Sequence, residues 1–137
     1  MSERQKQGLK EIGGERLQFG CSMRSHTTFR IGGAAEALYL AGDLNDLIRM
    51  VTYLGREDLP YHILGHGSNL LIRDKGLAGV VIILGEDLSV IEPAAQQEDL
   101  LLAGGGVSLA GLLAYCQKKG LSGLEFLAGI PGSVGAV

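Results

Sequence analysis

Apolar and polar positions change period several times along this chain, and each change marks a predicted element. Leu17-Gln18-Phe19 and Thr27-Thr28-Phe29-Arg30-Ile31 alternate only briefly before Gly32-Gly33, whereas Glu36-Ala37-Leu38-Tyr39-Leu40 reads as a strand. Asp43 stands at the N-cap of an amphipathic helix with a stripe of Leu44, Leu47, Ile48, Val51 and Leu54, stopping near Gly55. Pro60 opens an extended piece, Tyr61 through Leu64. Leu70-Leu71-Ile72 and Val80-Val81-Ile82-Ile83-Leu84 read as two further strands, with residues 75–79 turning between them. Residues 1–16 form a lead-in, either mobile or a helix that packs elsewhere.

A second unit follows. Polar residues and Pro93 interrupt the apolar runs over residues 86–97, where a boundary is expected. Leu100-Leu101-Leu102-Ala103 is then a strand, and Gly104-Gly105-Gly106 turns it into a helix capped by Ser108. That helix carries Leu109, Leu112, Leu113 and Cys116 on one face, with Lys118, Lys119 and Gly120 at its end. A helix-like spacing of Leu121, Leu124 and Leu127 leads into a last loop. The layout is a first lobe at residues 17–85, β-α-β-β in order, and the start of a second at 98–137. Strands rich in Val, Ile and Leu interleaved with helices indicate an α+β or α/β class. One strand and one helix do not make a sheet, so the second lobe is expected to be truncated.

Composition narrows the function. Hydrophobic residues at 46% and charged residues at 20% describe a globular chain. Twelve basic against fifteen acidic side chains, net −3, include no dense Lys/Arg cluster, so nucleic acid is not an expected partner. The first ten residues are polar, and no apolar run reaches the ~18 residues of a membrane span. A cytoplasmic protein without a membrane partner is expected. Cys21 and Cys116 read as reduced thiols, and no metal site is expected. The 22 glycines lie in short loops without a fixed period, which points to repeated close backbone approaches.

Two of those loops carry the candidate chemistry. Gly65-His66-Gly67-Ser68-Asn69-Leu70-Leu71 follows an apolar run, and its small residues let successive N–H groups point into one concavity, a nest for phosphate oxygens. It has neither the dinucleotide fingerprint nor a Walker A ending. Gly129-Ile130-Pro131-Gly132-Ser133-Val134-Gly135 has Gly or Pro at four of seven positions and cannot continue a helix. Its backbone N–H groups are expected to be free, with no side chains to keep a flat ligand away. Gly104-Gly105-Gly106 is a turn, with Gly106 a further candidate contact. Together the loops suggest a large ligand with an anionic and a planar part. His66 is read as a loop position rather than a general base, and no catalytic residue is assigned.

Three segments, Ser25-His26-Thr27-Thr28-Phe29-Arg30-Ile31-Gly32-Gly33, Leu64-Gly65-His66-Gly67-Ser68-Asn69-Leu70-Leu71 and Gly123 through Gly135, occur in an order that resembles the N-terminal part of the UDP-N-acetylenolpyruvoylglucosamine reductase family. The resemblance runs from about residue 20 onward. It implies an FAD-binding fold of the vanillyl-alcohol-oxidase type, two α+β lobes clasping an extended FAD. The loop at residues 65–71 would wrap the pyrophosphate, and the loop at 129–135 would lie beside the isoalloxazine. NADPH would be the hydride donor and a nucleotide sugar the substrate, its enolpyruvyl double bond being reduced to give UDP-N-acetylmuramate for peptidoglycan precursor synthesis. The family's proton-donor serine, its arginine and its glutamate have no counterpart here and are expected beyond Val137. The substrate domain is likewise expected to be absent, and the 137-residue chain to be inactive by itself. Two competing readings are another flavoenzyme of the superfamily and a non-catalytic nucleotide-binding fragment.

Overall fold

In the computed structural model, which describes residues 1–95 and 100–136, a helix comes first. Helix α1 (Glu3–Gly13) begins at a capping box: the Ser2 hydroxyl accepts the Gln5 N–H at 3.2 Å and the Ser2 N–H donates to Gln5 Oε1 at 2.8 Å. It packs on helix α2 (Leu44–Arg56), where the Tyr53 hydroxyl donates to the Gln5 carbonyl at 3.2 Å. The lead-in is thus a helix that packs on the unit beside it, with Leu9 fully buried.

Four strands form the main sheet in the order β1-β2-β4-β3: β1 (Leu17–Ser22), β2 (Ala34–Ala41), β3 (Tyr61–Leu64) and β4 (Leu77–Leu84). The first pair is antiparallel, and both pairings of β4 are parallel. Val80 and Ile82 turn to the face covered by α1 and α2, where they join Leu9, Tyr39, Met50 and Leu54. Val81 turns the other way, to Met23, Leu38, Leu64 and Ile72. Residues buried on both faces explain why this run is continuously apolar.

A bulge sorts the two faces. The β2–β4 register shifts between Ala35 and Ala37, and Gly79 takes φ +81° opposite. Ala35 and Ala37 would share a face at period two, yet one packs in each core.

The expected elements need four corrections. The α2 stripe is rotated: Leu44 and Ile48 are exposed, while Met50 and Leu54 are buried under α1. Leu70-Leu71-Ile72 is not a strand, because its chain bonds to a loop instead of a sheet edge. The Gly33 N–H donates to the Arg73 carbonyl at 3.0 Å, which seats Ile72 against Gly32. Strand β4 starts at Leu77, so residues 77–79 belong to it and not to the turn. The short alternation at Leu17 grows into strand β1, whereas Thr27 to Ile31 is not a strand. The first unit is therefore β-β-α-β-β.

In the second unit, β5 (Ile91–Pro93) pairs antiparallel with β6 (Leu101–Ala103), so a strand lies inside the stretch read as a boundary. The expected lobe start at residue 98 and the end of that stretch fall on residues 96–99, outside the described residues. Helix α3 (Leu109–Lys119) has the expected ends: the Ser108 hydroxyl accepts the Gly111 N–H at 3.0 Å, and Gly120 closes it at φ +69°. Leu121, Leu124 and Leu127 are not a helix, since Gly123 at φ +109° breaks the path. A 3-10 turn at Glu125–Leu127 brings Leu127 under α3 instead.

The bulge also supplies a pH-dependent contact. Glu36 Oε2 accepts the Gly79 N–H at 2.5 Å and Oε1 takes the Met1 amine at 3.1 Å, which together hold its carboxyl below the ordinary 4.5. A depressed folded-state pKa contributes stability that is present above the unfolded value and is lost as pH falls through the folded one. The side chain is 41% exposed, so solvent screening limits the effect to about 1 kcal/mol or less. Calorimetric melting of Glu36→Gln is expected to fall below the parent at neutral pH and to converge with it on acidification below 4.5. A gap independent of pH would remove the charge from this contact.

Candidate functional site

Parallel strands β3 and β4 end side by side, Leu64 opposite Ile83, and the first candidate loop leaves from that edge. Outside the carboxyl ends of parallel strands is where sheets of this kind hold ligands. Among the described residues, no N–H of residues 65–71 donates to a protein acceptor. The row of donors expected of this loop is therefore available.

The two candidate loops, far apart in sequence, meet. The Ser68 hydroxyl donates to the Pro131 carbonyl at 3.2 Å, and Gly65 lies so close to Ser133 that a Cβ would overlap its hydroxyl. Between them and the Gly104–Gly106 turn is a hollow of about 240 Å³ lined by Gly65, His66, Gly106, Ser133 and Gly135 among the expected residues. Ile63, Leu64, Ile83 and Leu84 add an apolar wall, and Gly105 and Ala136 complete it. Gly105 belongs to the glycine triplet already singled out, whereas sequence reasoning missed the four strand residues and Ala136, although the apolar strand ends before each loop are a signal for the former.

The other expected residues have different places. Gly67 is not open to a ligand: at φ +62° it packs on the chain, where a Cβ would overlap the His26 carbonyl and sit 3.1 Å from Thr27 Cα. Its carbonyl accepts the Thr28 N–H at 3.0 Å. Leu70 is half-buried under the sheet, while Asn69 and Leu71 are exposed on the loop. Gly129, Ile130 and Pro131 are exposed beyond the hollow's lining.

The backbone of the second loop differs from the expectation of free donors. The Ile130 N–H donates to Leu127, Val134 to Val107 at 2.8 Å and Gly135 to Gly105 at 2.9 Å, and the Gly132 carbonyl accepts from Leu109. Two of these donors, those of Val134 and Gly135, are spent because the loop is zipped to the turn that starts α3, and the third closes locally on Leu127. Its glycines permit that close pairing more than they expose N–H groups.

A second hollow of about 490 Å³ joins the first at Gly65, His66 and Ile83. Its far wall is Ser25, His26, Thr27, Thr28 and Arg30, with Arg30 at φ +53°. None of these was expected in the site, although the short alternation and double glycine marked the segment. Cys21 Sγ lies 3.8 Å from His26 Nε2 and, like Cys116, is a free thiol. Among the described residues, no cluster of three His, Cys, Asp or Glu side chains is set to hold a metal, and no helix is long and apolar enough to cross a membrane.

Donors at strand ends and an apolar wall make the hollow between the two loops a candidate nucleotide-cofactor site. In keeping with that class, residues 35–137 match the FAD binding domain family, and the chain belongs to it. It is 46% identical over 113 residues to the UDP-N-acetylenolpyruvoylglucosamine reductase of Nitrosococcus oceani, and 42% identical over 113 residues to that of Bacillus subtilis. Each alignment takes in 82% of this chain but only 37% and 36% of the relative. The crystal structure of the Thermus caldophilus UDP-N-acetylenolpyruvylglucosamine reductase superposes with a TM-score of 0.68 at 32% identity, over 87% of this chain and 39% of that one. The chain is similar to the FAD-binding part of these reductases, in the α+β FAD-binding fold of the vanillyl-alcohol-oxidase type.

The packing of Gly67 separates two kinds of loop glycine. Gly67→Ala must bear both left-handed strain and the His26 overlap, so urea unfolding is expected to show a loss exceeding the ~1–2 kcal/mol of strain alone. Gly129→Ala, at φ +81° with nothing within 4 Å, should show the strain alone. Equal losses in the two variants would mean that residue 67 does not pack on His26.

Proposed function

We propose that this chain supplies the FAD-binding part of a cytoplasmic reductase that uses NADPH to convert UDP-N-acetylglucosamine enolpyruvate to UDP-N-acetylmuramate, in peptidoglycan precursor synthesis. The observation that carries this reading is the meeting of the two loops, Ser68 on Pro131, beside a row of undonated N–H groups at parallel strand ends. The reductase names of relatives such as that of Nitrosococcus oceani support the reaction class.

The residues fit FAD. A phosphate-bearing ligand needs donors that no protein acceptor already occupies, and residues 65–71 have them. A flat ring needs an apolar wall without projecting side chains, which Leu84, Gly105, Gly106 and Gly135 provide. In this reading Gly65, His66, Ser68 and Asn69 belong to the diphosphate side. Gly106 and residues 129–135 belong to the ring side, with Ser68 and Gly67 fixing the loop they share. Residues 17–85 act as the first FAD-binding lobe and 98–137 as part of the second. When bound, FAD supplies a two-electron carrier between NADPH and the enolpyruvyl double bond. The chain's own contribution is to bind it, orient it and hold water off one side.

Gly105→Val tests the site directly. A Cβ at Gly105 would lie 3.1 Å from Leu84 Cδ1 and 3.6 Å from Gly135 Cα, inside the smaller hollow and against a side chain that can move. Titration with FAD, followed by flavin fluorescence, is expected to show binding by the parent chain and a loss of ~10-fold or more in the variant, which converts to about 1.4 kcal/mol. Far-ultraviolet circular dichroism should be unchanged. A parent chain that leaves added FAD free would sink the cofactor reading.

A further inference from the structure

Thr27 is the one side chain among the described residues whose buried polar atom lacks any hydrogen-bond partner. The residue is 6% exposed, and its hydroxyl is shut off from solvent. Such a group has given up its water and received nothing, which native structures rarely tolerate without a reason. The residue also forms part of the wall of the larger hollow. Both facts follow from one local arrangement. The Arg30 N–H donates to the Thr27 carbonyl at 3.2 Å, closing a tight turn, and the Thr28 N–H donates to Gly67 at 3.0 Å, strapping that turn to the first loop. Thr27 is thereby held beside the donors of residues 65–71.

The chemistry of the wall says what kind of acceptor suits it. His26, Arg30 and His66 line the larger hollow, and no Asp or Glu does, in a chain with fifteen acidic residues and a net charge of −3. A wall that carries the Arg30 guanidinium and no carboxylate, with a spare hydroxyl donor and spare backbone donors, favours an anionic oxygen over a neutral carbonyl. We propose that the Thr27 hydroxyl donates to a phosphate oxygen of the bound cofactor, so that the turn at residues 25–30 is a second, positioning wall of the diphosphate site. This rests on the FAD reading above. It adds a residue from outside both glycine loops and assigns the contact to the phosphate rather than to the ring.

The test compares Thr27→Val, which keeps the shape and removes the hydroxyl, with Thr27→Ser, which keeps the hydroxyl. FAD titration of the full chain is expected to weaken ~10-fold or more in Thr27→Val, and Thr27→Ser should stay within about threefold of the parent, the scale for one charge-assisted hydrogen bond. The cofactor-free Thr27→Val chain should melt no lower than the parent, because it loses an unpaired hydroxyl. The absorption bands of bound flavin should coincide in all three proteins, since the contact is remote from the ring. Thr27→Val binding FAD like the parent would overturn the proposal, as would a lowered melting point of the cofactor-free variant or a shifted flavin band. If the parent itself binds no FAD, the cofactor reading fails first and this one falls with it. Parent binding that is unaffected by Thr27→Val sinks only the Thr27 contact.

Discussion

Everything at the site depends on where β4 lies. It enters the sheet between β2 and β3, parallel to both, so Ala41, Leu64 and Leu84 finish on the same side. A parallel strand in the middle has to be apolar on both faces, and Val80, Val81 and Ile82 are all buried. Helices α1 and α2 cover one face. Met23 after β1, with Leu70 and Ile72 after β3, covers the other. The loop after β3 is therefore anchored beneath by Ile72 in the core and at Gly67 on His26, and is exposed above at His66 and Asn69. Anchoring and exposure come from one stretch of chain.

The two glycine loops use their glycines differently, and the difference is physical. Gly67 needs a left-handed conformation next to the His26 carbonyl, so glycine is required by packing. Gly65 has no room for a Cβ beside Ser133, so glycine is required by loop-to-loop approach. Gly135 pairs with Gly105 through backbone alone, and a Cβ on Gly135 would come within 3.1 Å of the Gly105 carbonyl oxygen and 3.2 Å of its Cα. None of these three reasons is a direct need of the ligand. They set the distance between the loops, and the hollow is what remains.

The helices were legible because their ends carry side-chain chemistry: Asp43 and Ser108 cap α2 and α3 as their positions suggest. The faces were less so. Period-3.6 counting selects Leu44 and Ile48 on α2 along with the buried Leu54, but it passes over Met50, which is buried with Leu9 of α1, and nothing local records that α1 packs there. Leu70-Leu71-Ile72 has a strand's composition yet is tied to the Gly32-Gly33 segment instead of a sheet edge, through the Gly33 N–H on the Arg73 carbonyl, a contact that is remote in sequence. The site divided in the same way. Glycine-rich loops announce themselves, while Thr27 and Arg30 enter the larger hollow only because Thr28 bonds to Gly67 across the fold. Strand β5 is short and interrupted by Pro93 at its last position, which hides it among polar residues.

The first loop and the turn at residues 25–30 share one consequence of keeping polar groups unpaired. Donors at residues 65–71 and the Thr27 hydroxyl find no acceptor in the protein, and for the buried Thr27 hydroxyl the fold bears its desolvation without return. The second loop has the opposite character, spending the N–H groups of Ile130, Val134 and Gly135 on neighbours. A site built from one satisfied and one unsatisfied loop is rigid on one side and receptive on the other. Any ligand that supplies acceptors to the receptive side adds its binding free energy to folding, through RT ln(1 + [L]/Kd). Ser68 joins the two sides, and through Pro131 it carries that gain from the first unit to the second. Leu88 packed on the first core and Leu84 set against Gly105 add apolar contact between the units beside that bond.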